Sequence, residues 1–202
     1  MVESLLSAAQ LRLVDLDALA VGRGPGGFTG VRLAIGVAQG LAFGANKPVV
    51  AVSDLRAIAQ RAFELEPAAR HCTVCADARM REVYAGRFVR GASGLAVPAA
   101  PVAETVLSPD AVVLPDGAAA PDAVARAGTD FGVLAGRGFR AYPELGQRAR
   151  GTGLPLFDDL LPGAVQIATL AVADAAQGAA VPASQLRPVY LRDQVAQPSV
   201  RT

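Results

Sequence analysis

Gly22-Arg23-Gly24-Pro25-Gly26-Gly27 puts four glycines and a proline into six residues. Glycine accepts positive φ and close backbone approach, and proline fixes its own φ, so the segment is suited to a sharp turn that displays N–H groups. Such groups at the head of a helix can hold phosphate. The letters Gly22-x-Gly24-x-x-Gly27 match a dinucleotide fingerprint, with Asp54 as the candidate ribose-binding acid. Two details weaken that match. Asp54 lies 27 residues past Gly27, where about 20 is usual. The helix signal starts at Thr29, a good N-cap, and not inside the glycine run. No Gly-Lys-Ser/Thr follows, and Lys47 lies at the wrong end of the helix for a P-loop. The segment reads as a phosphate cradle or as a structural turn.

Other reactive residue types are few. His71-Cys72-Thr73-Val74-Cys75 invites a metal or redox reading, but strand signals surround it, and in a strand Cys72 and Cys75 point to opposite faces. There is no second ligand pair for zinc. Asp77-Ala78-Arg79, followed by Glu82-Val83-Tyr84, places charges around a turn that could hold a loop or read a polar partner. Asp158-Asp159 lacks supporting cation ligands, and one histidine cannot complete a Ser/His/Asp set. We therefore expect no catalytic residue and no metal site.

The elements that position these residues begin with an amphipathic helix over Val2–Leu13 and a short strand at Leu19–Val21. A long helix runs from Thr29, a strand spans Pro48–Val52, and Ser53 caps a helix over Asp54–Phe63. This β-α-β-α order predicts parallel strands. Strands at Thr73–Ala76 and Glu82–Val89 read as a hairpin, with further strands at Leu95–Glu104, Val112–Leu114 and Phe131–Leu134. Pro121–Ala127 and Ala164–Ala176 read as helices, and Leu186–Arg192 as a short extended tail. The change of pattern near Pro67–Arg70 divides an N-terminal lobe, 1–67, from a C-terminal lobe, 68–202, whose last helix and tail could pack back on the first.

The long helix carries a second pattern. Gly36, Gly40 and Gly44 are four residues apart, so they share a helix face. Each interior glycine costs about 1 kcal/mol relative to alanine, and close approach of another backbone is the simple compensation. That backbone could belong to the same domain or to a partner protein.

The chain has 202 residues, 18% charged, with a formal net charge of +1. That balance gives no general electrostatic footprint for nucleic acid or membrane. Two cysteines make no disulfide framework. The start has no signal-peptide pattern, and no apolar run of about 18 residues is evident, so the expectation is a soluble, cytoplasmic protein.

Gly24-Pro25-Gly26-Gly27-Phe28-Thr29-Gly30-Val31-Arg32, then Gly40-Leu41-Ala42 and Val52-Ser53-Asp54-Leu55, resemble the signature of the TsaB (YeaZ) family, with Gly27 at the usual serine position. Asp77-Ala78-Arg79-Met80-Arg81-Glu82-Val83-Tyr84 resembles its second signature, and Gly136-x-Gly138, Ala164–Ala171 and Pro188-Val189-Tyr190-Leu191-Arg192 resemble later landmarks. The resemblance covers almost the whole chain. It implies an α/β, two-lobed fold like that of actin, the sugar kinases and Hsp70. It also implies a non-catalytic subunit that binds and activates TsaD when threonylcarbamoyladenosine is formed in tRNA, with TsaE reached through the complex, tRNA met indirectly, and a homodimer in isolation. Helices near the N-terminus would carry the contacts, here at Val31, Ile35, Gly36, Gly40, Phe43 and Gly44. Gly24, Pro25, Gly26, Thr29, Arg32, Asp77 and Arg79 would be structural or touch nucleotide, with ATP or ADP bound only within the complex. Family members usually begin with a strand carrying Asp-Thr-Ser/Ala-Thr and a β-hairpin, both absent ahead of Val2, so the fold is expected to be N-terminally truncated, with a misassigned start as the favoured cause. The alternatives are a small nucleotide- or dinucleotide-binding enzyme using Gly22–Gly27, and a peptidase.

Overall fold

The computed structural model describes residues 2–99, 104–115 and 131–192. The expected helix at Pro121–Ala127 lies outside them, as does part of Leu95–Glu104. The first helix, α1 (Val2–Ala8), is shorter than its pattern suggests. Gln10 takes a left-handed φ of 55° and the Leu11 N–H turns back to the Leu6 carbonyl at 2.9 Å, which closes the helix.

Two sheets organise the rest of the described residues. In the small one, β1 (Leu19–Gly22) and β2 (Val49–Val52) run parallel, as the βαβ order requires. Between them α2 (Phe28–Ala45) crosses one face and buries Val31, Ile35, Ala38 and Ala42 with Val21 and Val49. Its N-cap is Gly27, whose carbonyl already accepts the Val31 N–H at 3.0 Å, so Thr29 lies inside the first turn and not at the expected cap. Asn46, at φ 52°, ends it. On the opposite face α6 (Ala164–Ala176) packs Leu170 and Ala171 against Val50 and Val52. Alternate residues of β2 thus face different helices.

The large sheet has the order β5-β4-β3-β7-β8. Here β3 (His71–Asp77) and β4 (Val83–Arg90) form the expected hairpin. The strands β5 (Ala96–Pro98) and β6 (Glu104–Leu107) pair with β4 in tandem, and β7 (Gly132–Ala135) and β8 (Leu156–Phe157) extend the sheet in parallel from β3. One face is covered by α3 (Asp54–Leu65), through Leu55, Ile58, Ala59, Ala62 and Phe63. The other is covered by α4 (Gly138–Ala141) and α5 (Pro143–Gly151), through Phe139, Leu145 and Ala149. Ser53 caps α3, its hydroxyl accepting the Arg56 N–H at 3.2 Å.

Val112–Leu114 does not form the expected strand; a 3₁₀ turn at Pro109–Ala111 leads into irregular chain. Arg148 of α5 takes the carbonyls of Pro109, Asp110 and Val112, so these groups are fixed by a side chain and not by a ladder. In Gly136-x-Gly138, a Cβ on Gly136 would collide with the Cys75 carbonyl and one on Gly138 would lie 2.8 Å from it. These glycines let the β7–α4 turn rest on β3.

The helix α3 joins both layers. Its Arg56 pairs with Asp174 of α6 at 2.7 Å and donates to the Ala96 carbonyl of β5 at 2.7 Å. A further bridge, Val49 to Val181, fastens the chain after α6 beside β2.

Candidate functional site

The glycine loop is filled by its own chain. Gly24 needs glycine, with φ +89°, and Gly24 and Pro25 are buried and joined by a cis peptide bond. The Gly24 carbonyl accepts the Asp54 N–H at 3.0 Å, and Arg23 donates its N–H to Val52. A Cβ on Gly22 would overlap the Asp54 carboxylate, and one on Gly26 would come within 3.5 Å of Asp54 Oδ2. On its other side the loop meets the tail: Val189 donates to the Arg23 carbonyl at 2.9 Å, and its own carbonyl would lie 3.3 Å from a Cβ on Gly24. The space that glycine provides is therefore taken by Asp54 and Val189. A carboxylate aimed into a loop opposes an incoming phosphate.

Asp54 also faces Glu104, whose carboxylate accepts from the Ser53 hydroxyl. Burial, then the Glu104 charge, push the Asp54 carboxyl up to about 6. Burial likewise raises the thiols of Cys72 and Cys75, the latter to about 12. They lie on opposite faces of β3, in separate cores, as the strand spacing requires. A buried thiol held in its neutral form is a poor nucleophile and a poor metal ligand. Among the described residues no group of three or more His, Cys, Asp and Glu side chains could hold a metal ion.

At the β3–β4 turn, Asp77 accepts the Arg79 N–H at 2.8 Å and the Tyr142 hydroxyl at 3.1 Å, and pairs with the Arg79 guanidinium at 3.0 Å. Arg79, Met80 and Arg81 all have positive φ. Asp77 is therefore the turn's anchor, and the Arg79 side chain, 87% exposed, adds an outer contact.

The outer face of α2 is open. Cβ atoms on Gly36, Gly40 and Gly44 would meet nothing within 4 Å among the described residues, so none of those residues occupies the groove they make. Exposed Leu33, Val37 and Phe43 (81%) flank it. Arg32 is the one charged residue of α2. Its Cζ lies 3.5 Å from the centre of the Phe28 ring, and its Nε donates to the Tyr190 hydroxyl at 2.6 Å. Thr29 is exposed beside this cluster.

Two residues expected on the partner face are corrected. Val31, 8% exposed, and Ile35, 4% exposed, turn inward to β1 and β2. They share the inner stripe with Ala38 and Ala42, while the glycines lie on the opposite side. Sequence reasoning also gave no role to Phe28, Leu33, Val37, Glu104 or Tyr190. The α2 sequence is apolar on nearly all sides, and which of its apolar residues stay exposed depends on what the rest of the chain covers. The expectation of no apolar run of membrane-spanning length is corrected too: α2, with 18 residues and mean hydropathy 1.3, reaches that length and apolarity.

The family model described as TsaD: tRNA N6-adenosine threonylcarbamoyltransferase matches residues 1–197. The chain is 38% identical over 198 residues to a protein of Escherichia coli called tRNA threonylcarbamoyladenosine biosynthesis protein TsaB, covering 97% of this chain and 79% of that one. A protein of the same name from Haemophilus influenzae is 36% identical, over 96% of this chain and 78% of its own length. The chain belongs to the TsaB (YeaZ) family. A solved structure described as YeaZ from Pseudomonas aeruginosa superposes with a TM-score of 0.76 at 41% identity, over 95% of this chain and 81% of that one. A second, described as an uncharacterized protein from Pseudomonas aeruginosa with similarity to peptidase YEAZ, gives 0.78 at 42% identity and the same coverage. The two sheets and their helices are accordingly a two-lobed, actin-like α/β fold.

Proposed function

We propose that this TsaB-family chain works in tRNA threonylcarbamoyladenosine formation as a non-catalytic subunit that docks and activates a TsaD-type transferase through the outer face of α2. The observation that carries this is the open glycine row. Among the described residues nothing packs within 4 Å of where a Cβ of Gly36, Gly40 or Gly44 would sit, yet these glycines carry the helix cost and are bordered by Leu33, Val37 and Phe43. Removing side chains along one stripe lets a second backbone approach closely, and flanking apolar residues supply the buried area.

The same face can pair two copies of the chain when the transferase is absent. A TsaE-type ATPase joins through the transferase, tRNA is met indirectly, and ATP or ADP is held only within the assembly. The relatives' role in tRNA modification supports a soluble, cytoplasmic placement. The alternative of an independent dinucleotide-binding enzyme loses its main support, because Asp54 and Val189 fill the loop that would hold the phosphates.

Titrating the chain with a purified TsaD-type subunit tests the proposal. Gly40→Leu should abolish complex formation while the far-ultraviolet spectrum and unfolding midpoint remain near wild type. Normal association of a folded Gly40→Leu variant would place docking elsewhere.

A further inference from the structure

The chain beyond α6 touches distant parts of the molecule in sequence. Gln39 of α2 donates to the carbonyls of Ala183 at 3.3 Å and Leu186 at 3.1 Å, and Leu186 is buried beside α2. Val189 is hydrogen-bonded to the glycine loop at Arg23. Tyr190 receives Arg32 and lies 6.1 Å, centre to centre, from the Phe28 ring. Two residues later, Arg192 reaches the β3–β4 turn. Its guanidinium pairs with Glu82, donates to the Ala78 carbonyl at 3.0 Å, and contacts Met80 Sδ at 3.3 Å.

That turn has an uncommon backbone. Arg79, Met80 and Arg81 have φ values of 61°, 53° and 59°, three successive non-glycine residues in the left-handed region. L-residues visit that region singly and at a cost, so such a run persists where its surroundings hold it. The turn is closed internally by Ala78 N–H to Glu82 and Glu82 N–H to Arg79, each 3.0 Å. From outside it is held by Tyr142 at Asp77 and by Arg192 at Ala78 and Glu82.

We infer that residues 186–192 form a strap coupling the left-handed Arg79–Arg81 turn to the Phe28–Arg32–Tyr190 cluster at the head of α2. The strap has little slack. It contains no glycine, Pro188 stiffens it, and one residue separates Tyr190 from Arg192. A displacement of Tyr190 is therefore passed to Arg192 and so to the turn. The Tyr190 ring stands on the same helix as the open glycine row, so a partner that covers the head of α2 also sets the turn. This last step rests on the docking reading above; the coupling within the isolated chain does not.

Residue-resolved amide hydrogen exchange on the full chain tests the coupling. Tyr190→Ala removes the strap's contact with the head of α2, leaves the Gln39–Leu186 hydrogen bond, and takes away none of the turn's hydrogen bonds given above. Exchange at Ala78 and Glu82 should quicken about fivefold or more, as it should in Arg192→Ala, while Val74 keeps its protection. Quickening confined to residues 186–192 and the head of α2, with the turn at the wild-type rate, would overturn the inference. If Tyr190→Ala loses protection throughout, Tyr190→Phe decides by the same comparison, since it removes only the hydroxyl that Arg32 meets. Adding a TsaD-type subunit to the wild-type chain separates the two claims. Slower exchange in both α2 and the turn supports both. Protection of α2 with an unchanged turn overturns the strap and leaves the docking reading intact. An unprotected α2 overturns the docking reading, and the variants alone then judge the strap.

Discussion

The Asp54 carboxylate occupies the space that a side chain at position 22 would need, and Gly22 is glycine because Asp54 is there. This acid is held at a disadvantage. Its folded value, pushed up to about 6 by burial and then by Glu104, exceeds the unfolded value of about 3.9. Between those values the folded chain binds more protons than the unfolded one, so stability falls as pH rises from about 4 to about 6, and the penalty is complete above that. Two pKa units correspond to about 3 kcal/mol at most. Asp54→Asn should therefore raise the urea-unfolding free energy by about 1–3 kcal/mol at pH 8 and leave it nearly unchanged at pH 4. Equal effects at both pH values would contradict this account of the loop.

Because Asp54 and Val189 fill the glycine loop, the isolated chain should bind neither NAD nor ATP in calorimetric titration up to millimolar concentration. Gly24→Val should lower the unfolding midpoint, because φ +89° is strained for valine. Tight nucleotide binding by the isolated chain, lost in a folded Gly24→Val variant, would restore the enzyme reading.

Arg56 and Asp174 hold α3 to α6 with side chains 15% and 18% exposed. Removing one partner strands the other in a partly buried site. Asp174→Ala should cost about 1–3 kcal/mol in urea unfolding. Double replacement with Arg56→Met should recover part of that loss; full additivity would mean that the pair contributes no coupling.

At the β3–β4 turn the two members of the Asp77–Arg79 pair should behave differently. Asp77 serves the Arg79 N–H and Tyr142 as well as the guanidinium, whereas the Arg79 side chain is largely in water. Arg79→Ala should change stability by less than about 0.5 kcal/mol, and Asp77→Ala should cost about 1–2 kcal/mol. In cells lacking the native chain, Arg79→Ala should still support most of the tRNA modification, measured as threonylcarbamoyladenosine per tRNA. Abolished modification with normal folding and normal docking would make Arg79 a functional contact.

The local signals of this chain were readable because each rests on residues close together. Ser53 announced the cap of α3, the β-α-β-α order announced the parallel β1–β2 pair, and period-two alternation separated Cys72 from Cys75. The errors came from distant residues. Thr29 lost the cap to Gly27, where the loop delivers the chain to α2. Val112–Leu114 has strand-forming residues, but Arg148, 36 positions beyond Val112, claims the Val112 carbonyl. Val31 and Ile35 could not be told from Val37 and Phe43 in a helix apolar nearly all round, because the difference lies in where β1 and β2 sit. The link from Arg32 to Tyr190 spans 158 residues and left no local trace.

On the docking proposal, the glycines of α2 serve a partner and not the fold. Alanine tests this directly, since a Cβ at Gly36 or Gly40 meets nothing within 4 Å among the described residues. The measurement is a paired one on Gly36→Ala/Gly40→Ala: unfolding free energy of the isolated chain, and dissociation constant for a TsaD-type subunit. Each alanine should stabilise the fold by about 0.5–1 kcal/mol, while the complex weakens at least about tenfold, or 1.4 kcal/mol. A variant that is more stable and binds as wild type would show that the glycine row is not the docking face.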